Sequence, residues 1–284
     1  MASETTQTSL NDLTQALIAE ASMVLSQGVN LRDYVTQRDA TPGHNSVLFP
    51  AYSSLTAAAL TDGTDLSNSE VTTGGATVTL GEVGVMSTVT DQADFTSAAQ
   101  VGTDIGRNMG EAIRAKMNQD IWALFDGFTT NTAGTTNTDI TEAFILKGIR
   151  QLMAQKAPKP YYLAITPHVF EDLITLYTAN TSIVATQIRD AAMISGTLPM
   201  IYGITPILVD NLASGTSAGK ADGADAKCGL FSPAAIGFAK GWDIRIETQR
   251  DASMRGTELV ATAFYGVAEI VDAYGCEILV DNLD

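Results

Sequence analysis

The chain has 284 residues, of which 45% are hydrophobic and 17% charged, so it is long enough for one large domain or two ordinary ones. Its 32 acidic and 16 basic side chains give a formal net charge of −16, which disfavours a surface that binds nucleic acid by neutralising phosphates. The first residues form no secretory signal, and no run approaches the roughly 18 apolar residues of a membrane helix.

The N-terminal segment predicts a short amphipathic helix over residues 9–25. Leucines recur at spacings of three and four at Leu10, Leu13 and Leu17, and Ser9 is a suitable N-cap. Two interpretations stay open, because such a helix could pack on its own domain or on a neighbouring subunit.

Residues 47–92 change to β patterns separated by turn residues. Stretches 47–53 and 77–89 are strand-like, and together they predict a long, projecting two-stranded hairpin. No lysine or arginine lies between Arg38 and Arg107, whereas eight acidic residues do: Asp39, Asp62, Asp65, Glu70, Glu82, Asp91, Asp94 and Asp104. Since charges of one sign cannot pair with each other, we expect this segment to be flexible or completed by another surface.

A long helix is predicted to follow over residues 98–126. One helical face carries Val101, Ile105, Met109, Ala112, Ile113, Met117, Ile121, Leu124 and Phe125. Over that range the helix would be roughly 43 Å long at 1.5 Å per residue. Few single globular cores have that length, so the helix is expected to act as a strut or to cross a wide domain.

The second half of the chain predicts an α/β lobe and then several strands. Helices are expected at 141–156, 167–177 and 188–195. Strands are expected at 161–166, 204–210, 229–239, 242–249, 256–271 and 274–280, and residues 213–227 have the composition of an exposed loop. The last strands are expected to return to the long helix.

The sequence contains no concentrated catalytic or metal-binding pattern. His44 and His168 belong to no zinc or nucleophile motif, so a surface or capping role is the interpretation for His168. Cys228 and Cys276 lie far apart and are predicted to be buried free thiols in a reducing compartment.

The most specific pattern lies in the C-terminal third. The stretches YGITPILVDNL (202–212), GLFSPAAIGFAKG (229–241) and IRIETQRDASMRGTELVATAFYGVAEI (244–270) follow one another, and the last joins a charged Arg-Asp turn to a long Gly-Thr-Glu-Leu strand. In order and character these parts resemble the major capsid proteins of tailed bacteriophages, whose fold also occurs in herpesvirus capsid floors and in encapsulins. The likeness covers nearly the whole chain.

This resemblance implies an α+β fold, the phage major-capsid fold. Its parts would be an N-terminal arm (1–46), an extended β-hairpin loop (47–95), a peripheral domain with a long spine helix (96–140 and 244–284) and an axial α/β lobe (141–243).

The resemblance also implies a function. The protein would be a non-enzymatic component of the virion, without cofactor or metal, assembled in the host cytoplasm. Copies would form hexamers and pentamers, overlap through the extended loop, and build a procapsid that expands as double-stranded DNA enters. Besides copies of itself, its partners would be separate scaffold, portal and decoration proteins, and it would enclose DNA without sequence-specific binding and contact no membrane.

Two departures from the family are visible. Some members cross-link through a lysine in the extended loop, but the first lysine here is Lys116, after that loop, so we expect this chemistry to be absent. Some members also carry a cleaved N-terminal scaffolding segment. Only about forty residues precede the loop here, so we expect no cleavage, and either a separate scaffold protein or none.

Arg250, Asp251 and Arg255 bracket a turn before the strand 256–271, which is apolar on both sides and therefore predicted to be central in a small sheet on the spine helix. With Glu258 they are candidates for an inter-subunit contact. A solvated turn with a local Arg/Asp pair is the alternative. Two alternatives to a virion protein also stay open: an encapsulin-type compartment enclosing a cargo enzyme, and an enzyme on an ordinary α/β domain.

Overall fold

The computed structural model describes residues 29–52, 73–96, 101–179, 198–209 and 225–281, together with Asp190 and single positions between 55 and 71. The predicted helix at 9–25 lies outside the described residues, as does the one at 188–195 apart from Asp190.

The described chain begins with four strands, continues with two helices, alternates between strands and helices in its middle part, and ends with a run of strands. The strands are β1 (Thr36–Asp39), β2 (Ser46–Tyr52), β3 (Thr73–Thr79), β4 (Gly81–Thr90), β5 (Thr132–Gly134), β6 (Tyr161–Ile165), β7 (Ile204–Leu208), β8 (Asp225–Phe231), β9 (Ile236–Asp251), β10 (Gly256–Glu269) and β11 (Gly275–Asp281). The α-helices are α1 (Asp91–Thr96), α2 (Val101–Ala123), α3 (Glu142–Ala154) and α4 (Pro167–Ala179).

Helix α2 is the predicted long helix. Met109, Ile113, Met117 and Ile121 recur every four residues and are buried, because this spacing places them on one face. Its 23 residues span roughly 35 Å, and a single 3₁₀ turn at Leu124–Gly127 continues it. The predicted helix end near residue 126 therefore lies within this 3₁₀ turn.

Helix α2 packs against a four-stranded sheet with the order β1-β9-β10-β4. Strand β10 is antiparallel to both of its neighbours, which confirms its predicted central position. Leu259, Ala261 and Ala263 point to the buried face, and the Tyr265 hydroxyl donates to Asp120 of α2 over 2.7 Å. The hydrogen bond fixes the strand against the helix at a single register.

The second sheet has five strands in the order β5-β11-β8-β6-β7. Helix α3 packs on β11, β5 and β8 through Ile145, Ile149 and Leu152, all buried. The predicted peripheral range 244–284 includes β11, whereas in the structure β11 pairs with β8 of this sheet and buries Ile278. The two sheets share one continuous core.

The prediction of one hairpin strand is wrong. The range 77–89 was expected to be a single hairpin strand, but the chain changes partners at Leu80, whose N–H donates to Asn45 O over 2.8 Å. Before that residue β3 pairs with β2, and after it β4 pairs with β10. The strand pattern of the sequence continues across Leu80, so a change of partner leaves no local signal.

Two further boundaries differ from the sequence predictions. The expected strands 229–239 and 242–249 are instead the end of β8 and the 16-residue strand β9, because Pro233 opens a 3₁₀ turn between them. The expected exposed loop 213–227 ends earlier, since Asp225 and Ala226 already lie buried in β8.

Candidate assembly surfaces

The hairpin of β2 and β3 is anchored at its base and exposed on its outer side. Seven directly opposed residue pairs run from Ser46 and Thr79 to Tyr52 and Thr73. On the inner side Phe49 packs in a small apolar cluster with Val78, Leu80 and Ala239, against which Phe264 of β10 also packs. The hairpin root is therefore fixed to the four-stranded sheet.

The outer side of the same hairpin exposes large apolar side chains. Leu48 is 58% exposed and Tyr52 is 68% exposed, and both lie on the side opposite Phe49. Leu55 and Val71, farther along the loop, are also exposed. Exposed apolar rows of this kind mark surfaces that another protein covers.

Arg250 forms a two-pronged ion pair with Asp91, the first residue of α1. The guanidinium nitrogens donate to the two carboxylate oxygens over 2.5 and 2.6 Å. This hydrogen bond lowers the pKa of Asp91 and raises the pKa of Arg250. The sequence alternative was a local Arg/Asp pair, whereas in the structure the partner of Arg250 is Asp91, 159 residues away, and not its neighbour Asp251.

Asp251 instead shapes the turn between β9 and β10. Its carboxylate accepts hydrogen bonds from the N–H and the hydroxyl of Ser253 and from the N–H of Met254, and these bonds lower its pKa. Arg255 closes the turn with a left-handed backbone (φ +50°), and its carbonyl accepts the Asp91 N–H over 2.9 Å. The turn is thus ordered by contacts within the subunit.

Glu258 lies in β10 opposite Gln249 of β9 and Thr88 of β4. Its side chain is half-buried and belongs to the sheet face that points away from α2. Of the four predicted contact residues, Arg250, Asp251 and Arg255 therefore meet in one turn, while Glu258 lies just inside the sheet. Contact of any of them with a second subunit stays a prediction.

His168 and a cavity at the hairpin root are two further features of the described residues. No group of three or more His, Cys, Asp or Glu within them could hold a metal ion. His168 is half-buried, with its Nε2 3.7 Å from an oxygen of Asp172 one helical turn away. An open cavity of about 340 Å³ at the hairpin root is lined by apolar side chains and by Thr36 and Arg38. Among the described helices, none has the length and apolar character to cross a membrane.

Both cysteines are free and buried, as predicted. Burial raises the pKa of each thiol to about 12, so the reactive thiolate is scarce at neutral pH. We expect neither Cys228 nor Cys276 to react with iodoacetamide in the native protein, whereas both will react in guanidinium chloride. Mass spectrometry of the alkylated chain measures this, and rapid modification of either residue in the folded subunit would contradict the described burial.

Two features of these surfaces are missing from the sequence predictions. The pairing of Asp91 with Arg250 could not be predicted, because nothing local relates residues so far apart. The exposed side of α3, where Lys147 and Arg150 lie, was not singled out. That signal was available, since residues 143–170 contain four lysines or arginines and no acidic residue.

Known proteins resemble this chain in sequence and in fold. The phage capsid protein family matches residues 72–277. The fold is similar to the capsid structure of cyanophage P-SCSP1u, with a TM-score of 0.66, 17% identity and 89% of each chain covered. It is also similar to the capsid of Ralstonia phage GP4, with a TM-score of 0.65, 11% identity, and 90% of this chain and 89% of the other covered.

A third similar structure is the virus-like particle from Pyrococcus furiosus, with a TM-score of 0.60, 13% identity, and 93% of this chain and 98% of the other covered. No curated protein matches the sequence. At such identities the structural likeness establishes the fold, which is the α+β phage capsid fold predicted from the sequence. The family match spans more than half of the 284 residues, and the chain therefore belongs to the phage capsid protein family.

Proposed function

We propose that this capsid shell protein assembles through hexamers and pentamers into a closed icosahedral shell around the double-stranded DNA of a tailed phage. The observation that carries the proposal is the hairpin, whose root is fixed by Phe49 while Leu48 and Tyr52 are exposed and not covered by the described part of their own subunit. An exposed apolar row on a projecting arm favours contact with another copy.

The finer steps belong to the same proposal. The shell forms first as a procapsid in the host cytoplasm, expands as DNA enters, and works with separate scaffold, portal and decoration proteins. A net charge of −16 per subunit supports a wall that encloses DNA without sequence-specific binding, because like charges repel. The proposal also includes the division of the chain into arm, extended loop, peripheral domain and axial lobe. In this division the peripheral sheet contains β4 and the axial sheet contains β11.

A second candidate is a compartment that encloses a cargo enzyme. The likeness to the Pyrococcus furiosus virus-like particle over 93% of this chain supports this second candidate function. Purified particles treated with nuclease distinguish the two. We expect protected double-stranded DNA and no stoichiometric second protein; particles that hold a second protein and no protected DNA would instead support the cargo compartment.

The charged turn gives a separate test of the predicted subunit contact. We expect Arg255→Glu to leave the fold intact, since surface substitutions usually change the free energy of unfolding by less than about 0.5 kcal/mol, but to reduce shell formation. Urea unfolding and sedimentation measure the two effects. Arg255→Lys, which keeps the charge and the backbone conformation, is the control and should assemble. Normal shell formation by the glutamate variant would contradict a contact between this turn and a second subunit.

A further inference from the structure

Strand β4 forms an edge of the four-stranded sheet that lacks the usual protection against pairing with another chain. Natural sheets protect their edges by short strands, charged side chains or proline. At the other edges of the two larger sheets, β1 has four residues with two charges, β5 has three residues, and β7 contains Pro206. Strand β4 has ten residues without proline or lysine, and its one charged residue is Glu82, near its start.

Every second residue of β4 directs its backbone N–H and C=O away from β10. The Asp91 N–H donates to Arg255 O over 2.9 Å, and hydrogen bonds alternate along an antiparallel pair. Counted from this bond, the odd-numbered residues of β4 bond to β10, over a register without a bulge. The even-numbered residues present their backbone groups to the other side, where no strand of the described residues pairs. We call these residues, Glu82, Gly84, Met86 and Thr88, the free edge.

The side chains of β4 leave room for a further strand. Val83, Val85 and Val89 point to the α2 side and pack against the core, where they are only partly buried. On the opposite side Met86, in the middle of the strand, is 61% exposed. A strand added beside β4 would therefore continue an apolar inner face and cover part of an exposed outer one.

We propose that the free edge of one copy pairs antiparallel with the free edge of a second copy, around a two-fold axis at Met86. This register places Met86 opposite the partner's Met86, Gly84 opposite the partner's Thr88, and Glu82 opposite the partner's Thr90. The pairing covers the whole strand from Glu82 onward, and the outward N–H and C=O groups of both copies bond to each other.

Three properties favour a second copy of this chain as the occupant. The edge is complementary to itself, because a strand without charges in its middle meets an identical one. The two Glu82 side chains would be roughly 27 Å apart, since eight residues separate them at about 3.4 Å each, so no like charges oppose. The two-fold axis is perpendicular to the joined sheet and leaves both α2 helices on one side. Copies in a shell wall require this arrangement, because they share an inner and an outer surface.

The inference goes beyond the proposed function, since the pairing requires two subunits and no shell. Met86→Cys tests it through a disulfide across the axis. Residues that exchange both hydrogen bonds have Cα atoms about 5.5 Å apart, within the roughly 4.4–6.8 Å that a disulfide spans. The native Cys228 and Cys276 are buried and do not compete.

Two control variants accompany this substitution. Met254→Cys replaces a methionine that is 57% exposed in the turn between β9 and β10, outside the free edge. Thr88→Cys lies within the free edge, but the register places its two copies about 14 Å apart, too far for a disulfide. Under mild oxidation we expect Met86→Cys to give at least about tenfold more linked dimer than either control.

Hydrogen exchange of the unsubstituted protein provides a second measurement. Backbone amides of the free edge exchange readily when they face water and slowly when they bond to another strand. We expect the amides of Gly84, Met86 and Thr88 to exchange more slowly as the protein concentration rises and copies pair. Circular dichroism of each cysteine variant verifies that it is folded.

Four results separate the possibilities. A dimer yield from Met86→Cys no higher than from Met254→Cys, in free subunits and under assembly conditions, would overturn the pairing. Equal yields from Thr88→Cys and Met86→Cys would contradict the register. Slow exchange at the free edge without a link at position 86 would assign the edge to a different strand. A strong link at position 86 without any particles would contradict the proposed shell and leave the pairing in place.

Discussion

A subunit with a shortened hairpin is expected to fold, stay soluble and form no closed shell. The design replaces residues 53–72 with Asn-Gly, because Tyr52 and Thr73 lie directly opposite each other and a two-residue turn of this type joins such a pair. The paired part of β2 and β3 and the buried Phe49 are retained, so the core loses nothing. The predicted extended loop is shortened to this turn.

Sedimentation and negative-stain microscopy measure the result. We expect the shortened subunit to remain as monomers or small rings under conditions in which the full chain forms particles. Its urea unfolding midpoint should match that of the full chain, since described members of the removed stretch such as Leu55 and Val71 are exposed. Closed shells of normal size from the shortened protein would contradict a role for the hairpin in assembly.

The second large effect is expected at the junction of the two sheets, where Phe125 is fully buried. Its ring centroid lies 5.3 Å from Trp122, 5.4 Å from Phe231 and 6.1 Å from Phe128. The ring also packs directly over Gly229 of β8, where a Cβ would lie only 2.5 Å from it. Phe125→Ala should therefore lower the free energy of unfolding by about 3–5 kcal/mol.

The chain offers a matched control for this substitution. Phe95 of α1 is 91% exposed, so Phe95→Ala removes the same atoms from a site without packing. Its effect on the free energy of unfolding should stay within about 0.5 kcal/mol. Urea unfolding of both subunits measures the difference. Equal losses of stability in the two variants would show that the aromatic junction is not the centre of the fold.

Long, periodic elements could be predicted from the sequence because their signal is local. The four-residue recurrence of apolar side chains defined α2, and the doubly apolar pattern of β10 indicated its inner position in a sheet. In each case the residues that determine the structure are neighbours in the chain.

Features that depend on distant partners could not be predicted in this way. The change of partner at Leu80 is set by Asn45 and by β10, and the pairing of Arg250 with Asp91 joins residues 159 positions apart. Strand β5 has three residues in a Thr- and Asn-rich loop, and it forms only because β11 lies beside it. Tertiary contacts decide such elements.

The candidate assembly surfaces also combine features that could be predicted from the sequence with features that could not. The acidic hairpin was visible in the sequence as a segment without cations. The cations Lys147 and Arg150 were visible as composition, but only the burial of Ile145 and Ile149 on the other side of α3 shows that they share one exposed side.

The mass of the particles formed by the purified chain tests shell formation most directly. Under assembly conditions, mass photometry and electron microscopy should find closed, uniform particles many times heavier than the 29.9 kDa subunit. A species of 29.9 kDa under every condition of concentration, pH and ionic strength, with no rings or shells, would contradict a shell-forming protein.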